Sequence, residues 1–176
     1  MSSFTAPMTR LRRGERGRPA RERGQALIEF ALVLPFLLIL VLGMLDLGKA
    51  MHYRNDLTHL ANEAARFAAV DKNPGPGLTL EESIRDQATS SELKDGGAPG
   101  AEGTTTGPLE VEICFPGAGI AHDIGDPVKV IVRSEYKWLS ILGFSATKEL
   151  VGTSTMRLEK LWTPSSQYGG PSPVGC

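Results

Sequence analysis

FALVLPFLLILVLGML, Phe30 to Leu45, runs for sixteen residues without a charge, and the apolar stretch reaches from Ala26 to Leu47 once Glu29 and Asp46 are admitted at its rims. A helix of that length, at about 1.5 Å per residue, covers roughly 33 Å, the thickness of a bilayer's hydrocarbon core. A helix packed on a soluble core carries one apolar stripe. Here Leu, Ile, Val and Phe occupy every side of the cylinder, as lipid requires. Pro35 removes one backbone donor and is expected to bend the helix.

Working outward, residues 1–24 carry seven Arg against two Glu, whereas only Lys49 and Arg54 follow soon after the span. The positive-inside bias then leaves the N-terminus in the cytoplasm and exports the rest as a single-pass membrane protein. The whole chain has 176 residues, 41% hydrophobic and 22% charged, with a formal charge of -1. That length suits one modest domain and excludes a large multidomain enzyme, and without a global basic excess nucleic acid is a poor partner. A rival reading is a secretory signal cut after Ala50, with Gly48 and Ala50 as its small residues, which would release a binding protein. The long apolar core, and the charges of Asp46 and Lys49 beside that cut, oppose it.

Glu29 lies inside the apolar stretch, where an unpaired carboxylate is costly and calls for a partner. Gly24 stands five positions before it, directly after the charged run RERG. A basic tail, Gly24, QALI, Glu29 and then hydrophobics resembles the class III signal of type IV prepilins. The resemblance implies cleavage by a prepilin peptidase between Gly24 and Gln25. The ammonium created at Gln25 could then be neutralised by Glu29 of an adjacent subunit in a low-dielectric setting, making Glu29 an assembly contact. Gln25 departs from the Phe or Met that classical pilins place after the cut. The longer spelling, RGQALIEFALVLPFLLILVLGMLDLGKA followed by LTHLANEAARFAA, resembles the TadE-like family of the tight adherence (Tad, or Flp) pilus system over Arg23 to Val70. Its matching features are the Gly24 to Glu29 spacing, Phe30, Pro35, Asp46 before Gly48, and the run Ala64, Ala65, Arg66 and Ala69. The resemblance implies a pseudopilin-like assembly component, with membrane lipid, other pilin or pseudopilin subunits, the prepilin peptidase and Tad membrane platform proteins as partners. Some relatives keep an uncleaved anchor.

Beyond the span, Met51, Leu57, Leu60, Ala61, Ala64, Ala65, Phe67 and Ala68 continue an apolar side, with Arg54, Asp56, Asn62, Glu63 and Arg66 opposite. One helix is therefore expected from about Ala26 to Val70, ended by KNPGPG at 72–77. The alanine spacings suit core packing or a subunit contact. Thr79 to Leu93 reads as one short helix with a cap at Thr79 and Glu82, and Asp95 to Pro108 as a flexible loop. Leu109–Phe115, Pro127–Tyr136 and Lys148–Leu158 alternate as strands, with WLSILGF, 138–144, as a core-covering connection. Asp123 and Asp126 bracket a turn.

The expected fold is α+β: a long N-terminal helix, membrane-spanning in its first half, packed on a small antiparallel β-sheet as in pilins. The divisions are a leader (1–24), a transmembrane helix (25–47), its exported continuation (48–71), an exported α+β domain (72–162) and a flexible tail (163–176). Cys114 and Cys176, the only cysteines, are candidates for one disulfide in an oxidising compartment. No catalytic, cofactor or metal site is expected. His59 and Glu63 lie four apart on a helix without a third ligand, and no nucleophile motif is present.

Overall fold

The computed structural model describes residues 20–71, 75, 77–116, 123–140, 145–161 and 174–175. The chain divides into two units, Met1–Leu38 and Ile39–Cys176. Helix α1 (Ala20–Ala69) continues through Pro35 without interruption. In the first unit Leu27, Ile28, Phe30, Leu32, Val33 and Phe36 are all exposed, Phe36 to 71%, and Leu34 is half-buried. α1 carries a stretch long and apolar enough to cross a membrane.

In the second unit α1 becomes one-sided. Ala50, Tyr53, Leu57, Leu60, Ala61, Ala64, Ala65 and Ala68 are buried, at alternating intervals of three and four or their neighbours. Met51, expected inside, is exposed, and Tyr53 takes the inward position instead. The helix ends one residue before the expected Val70, and Asp71 adopts φ +46°. Residues 72–74 and 76 of the expected stop signal lie outside the described residues.

The buried face of α1 packs on a sheet that has five strands among the described residues: β1 (Thr104–Thr105), β2 (Glu110–Phe115), β3 (Pro127–Lys137), β4 (Thr147–Arg157) and β5 (Val174–Gly175). β3 is central. β4 runs antiparallel along one of its edges, from Pro127 opposite Arg157 to Lys137 opposite Thr147. β2 and β1 share the other edge, both antiparallel, and β5 lies parallel to β2 with Cys114 opposite Val174. The three long strands coincide with the three expected runs to within a residue or two. Val128, Val130, Val132 and Tyr136 of β3 point into the core with Val111 and Ile113 of β2, as period-two alternation requires. Full burial of a Leu or Val side chain of this kind stabilises by about 1.5–3 kcal/mol. The α+β expectation is met.

The alanines of α1 serve this core, and a glycine lets the helix come close. A Cβ on Gly152 of β4 would stand 2.4 Å from the backbone carbonyl of Leu57. Only a residue without a side chain fits under α1 there.

Two local expectations need correction. The single helix from Thr79 to Leu93 is two helices, α2 (Leu80–Asp86) and α3 (Ser91–Asp95). The Thr79–Glu82 capping box is present as read. The break comes where Thr89 turns to α1, its backbone N–H and hydroxyl both donating to Asp56 at 3.0 and 2.9 Å, and Ser90 caps the second helix. The stretch 95–108 is not unstructured either, because Thr104 and Thr105 are buried in β1. Gly103 N–H donates to the Lys137 carbonyl at 2.8 Å and Thr106 N–H to that of Glu135 at 2.8 Å. Pairing to an existing strand edge needs no apolar run, so the composition of the stretch does not disclose it. In the turn before β3, Asp126 accepts from Asp123 N–H at 2.9 Å and Gly125 has φ +100°, as turn chemistry demands. Residues 141–144 of WLSILGF lie outside the described residues, as does most of the tail.

Candidate functional site

Two places along α1 concentrate polar groups on an apolar helix. The first is its beginning. Gly24, Gln25 and Glu29 are all exposed. The Gln25 side-chain amide donates to Glu29 Oε1 at 3.2 Å, one helical turn away. Among the described residues the Glu29 carboxylate has this neutral donor and no cation. The Gly24–Gln25 bond lies inside α1, which begins at Ala20. Glycine weakens a helix by about 1 kcal/mol relative to alanine, so Gly24 is a weak point of this first stretch of α1.

The second place is the other end of the apolar stretch. Asp46, read from the sequence as a rim charge, is 9% exposed and turned into the protein. The Tyr136 hydroxyl donates to its Oδ1, and the Leu139 backbone N–H to its Oδ2 at 2.9 Å. Burial of an acid is costly unless its oxygens are satisfied, and here each receives a donor. Gly103, at φ +66°, brings the β1 approach against the same carboxylate: a Cβ there would stand 3.2 Å from Asp46 Oδ1. Burial, and then the Asp46 carboxylate, raise the Tyr136 hydroxyl well above its ordinary value of 10.0. Tyr136 therefore stays a neutral donor.

An aromatic cluster surrounds this junction. Tyr53 of α1 meets Tyr136 edge-on at 5.7 Å between ring centres, and Tyr136 meets Trp138 at 5.2 Å. Lys49 lies 5.5 Å above the Tyr53 ring and pairs with Glu92 of α3 at 3.4 Å. Ser140 N–H donates to Glu102 at 2.7 Å, and Lys137 pairs with the same carboxylate at 3.7 Å. Sequence reading did not assemble this group, because Asp46 and Tyr136 stand 90 residues apart. The only signal was that an acid sat where lipid should begin.

The remaining expected residues are dispersed. Cys114 is buried on β2 and is not a free thiol; Cys176 lies outside the described residues. Glu63 takes an ion pair from Arg66 at 3.3 Å, the next turn of the same helix, rather than a shared ligand with His59. No group of three or more His, Cys, Asp or Glu able to hold a metal occurs among the described residues. A surface groove of about 350 Å³ over β2 and β3 is lined by Glu81, Glu110, Val111, Glu112 and Arg133, and Arg133 is already engaged by Glu112 at 2.7 Å and Glu149 at 3.5 Å.

No curated protein and no solved structure matches this chain. The segment from Gly24 through the apolar helix and Asp46 to the alanine-rich core face is TadE-like, as its spelling led one to expect: residues 24–66 match the family model described as TadE-like protein.

Proposed function

We propose that this chain is a pseudopilin-like component of Tad/Flp pilus assembly, a membrane-anchored subunit that joins or organises the pilus machine. The observation that carries the reading is the TadE-like match itself, which begins at Gly24 and covers the candidate processing site, the apolar helix and Asp46. The exposed apolar surface of α1 supports a single-pass anchor, N-terminus inside and β-sheet domain exported. Glu29 is exposed within that surface and, among the described residues, accepts from the neutral Gln25 amide. Maturation between Gly24 and Gln25 supplies an ammonium, and a Glu29 from a neighbouring subunit pairs with it where lipid keeps the dielectric low. Partners on this reading are membrane lipid, pilin or pseudopilin subunits, the prepilin peptidase and the Tad platform proteins.

The test is N-terminal sequencing of chain extracted from membranes of cells with and without prepilin peptidase. A start at Gln25 is expected only where the peptidase is present. A start at Met1 in both overturns processing and leaves an uncleaved anchor; a start at Met51 overturns the pilin reading. Glu29→Ala is expected to insert normally and to fail in subunit assembly, measured by co-purification and piliation. Wild-type piliation by that variant removes the ion-pair role.

A further inference from the structure

The Asp46 junction fixes where a bilayer surface meets the exported unit, given that α1 crosses the membrane. Within Ile39–Cys176, exposed apolar side chains continue along α1 through Met44 (66% exposed), Leu45 and Leu47 (50%) to Lys49, the first cation, with one more, Met51 (50%), just past it. Hydrocarbon therefore gives way to headgroups near residues 46–49. Asp46 lies at that level, and its bond to Leu139 N–H holds the start of the β3–β4 connection there too. A second backbone bond, Trp138 N–H to the Ala146 carbonyl at 2.9 Å, closes the connection at its base.

The side chains placed at this depth suit it. Trp138, Leu139 and Ser140 are each half-buried, keeping part of their surface outward. An indole with one side on protein and one side outward is the type that concentrates at the membrane–water interface. The neighbouring cations are paired, Lys49 with Glu92 and Lys137 with Glu102. Neither of these two cations is therefore left over to call for anionic lipid, which fits a zwitterionic headgroup layer. Leu45 and Leu47, both exposed, flank the Asp46 that holds Leu139, so one lipid boundary at that level can meet both.

We infer that the exported domain rests on the lipid headgroup layer through Trp138–Ser140, rather than standing clear of the bilayer on α1 alone. The opposite end of β3 gives an internal reference. Ile124, 68% exposed, sits in the turn before that strand of 11 residues, roughly 35 Å from Trp138 at about 3.3 Å per residue. An apolar side chain at that end is out of lipid's reach if the Trp138 end faces the membrane.

The full wild-type chain, reconstituted in phosphatidylcholine vesicles carrying a phospholipid with a photoactivatable group near its headgroup, tests this by peptide mapping of the cross-links. Labelling is expected on the Met44–Leu47 peptide and on the peptide holding Trp138–Ser140, severalfold above that on the Ile124 peptide. Met44–Leu47 labelled with Trp138–Ser140 no higher than Ile124 overturns the inference and leaves the membrane span standing. An unlabelled Met44–Leu47 peptide overturns the span and the inference together. In a second measurement, Trp162→Phe leaves Trp138 as the single indole. Lipids brominated near the headgroup should then lower its emission by about twofold, as for an interfacial Trp. Emission unchanged by brominated lipid overturns the inference independently of the labelling.

Discussion

Asp46 joins two regions that no local pattern connects, and its contacts set what its loss should do. In Asp46→Ala the half-buried Leu139 N–H loses its acceptor, and the buried Tyr136 hydroxyl is left with the backbone carbonyl of residue 46 at 3.5 Å. An unsatisfied buried donor costs about 1–3 kcal/mol, so Asp46→Ala should lower stability by about 2–4 kcal/mol, read by thermal unfolding in detergent. Tyr136→Phe should lose less, about 1–2 kcal/mol, and the two should fail to add, since they remove one shared bond. Tyr136 also gives a pH dependence. Its hydroxyl titrates above the ordinary 10.0 when folded, because burial and the nearby Asp46 carboxylate disfavour the phenolate. A value raised on folding contributes stability that is intact below about pH 10 and is lost as pH climbs from there toward the raised value. Unfolding in alkali should therefore steepen above pH 10 in the wild type and flatten in Tyr136→Phe. Gly152 is the other residue with a sharp consequence. Gly152→Ala sets a methyl 2.4 Å from the Leu57 backbone, so α1 or β4 must shift; overpacking of this kind costs about 1–3 kcal/mol, visible as a lower melting temperature.

At the scale of elements, what the sequence disclosed follows periodicity, and what it concealed follows contacts between distant residues. The strands at 110–115, 127–137 and 147–157 were legible because Val111 and Ile113, Val128, Val130 and Val132, and Leu150 and Met156 each fall in phase at a period of two. The α1 core face was legible for the same reason at a period of 3.6, except at Met51 and Tyr53, where all-round apolar exposure gives way to a core stripe. The division of α2 from α3 was not legible, since its cause is Asp56, 33 residues away, drawing Thr89 out of helical bonding. Asp56→Ala should free Thr89 and loosen the α2–α3 joint, seen as faster amide exchange at Thr89 through Leu93, with the Thr79 cap unaffected. Thr79→Ala acts at the opposite end of the same region. It removes the acceptor of Glu82 N–H at 3.1 Å and should cost about 1 kcal/mol, a usual figure for a lost N-cap. The candidate processing site was legible only as spelling: Gly24, Gln25 and Glu29 are recognisable in order, and the one contact added by the structure is the Gln25–Glu29 hydrogen bond.

At the scale of the molecule, the competing readings of where the chain is cut make different demands on the interior of the unit Ile39–Cys176. We propose that Cys114 and Cys176 pair, with β5 running parallel beside Cys114 as the segment that carries the tail there. A closure of about 60 residues would stabilise by roughly 4 kcal/mol in the loop-entropy model, and non-reducing peptide mapping should recover the two cysteines in one linked fragment. A cut after Ala50 would do the reverse. It would fall in the middle of α1, at a residue 4% exposed, and would take Asp46 away from Tyr136 and Leu139. A product beginning at Met51 would keep the sheet and most of the alanine face, yet carry a neutral tyrosine and a backbone N–H with no acceptor inside an aromatic cluster. A cut after Gly24 leaves every one of these contacts in place. Segments 51–176 and 39–176, made side by side, should thus differ by about 2–4 kcal/mol in unfolding free energy, the longer one more stable. Asp46→Ala in the longer segment should remove most of that difference, because it is the carboxylate, and not the added length of helix, that the sheet uses. Equal stability of the two segments would mean the junction contributes nothing, and signal-peptide release would regain its standing.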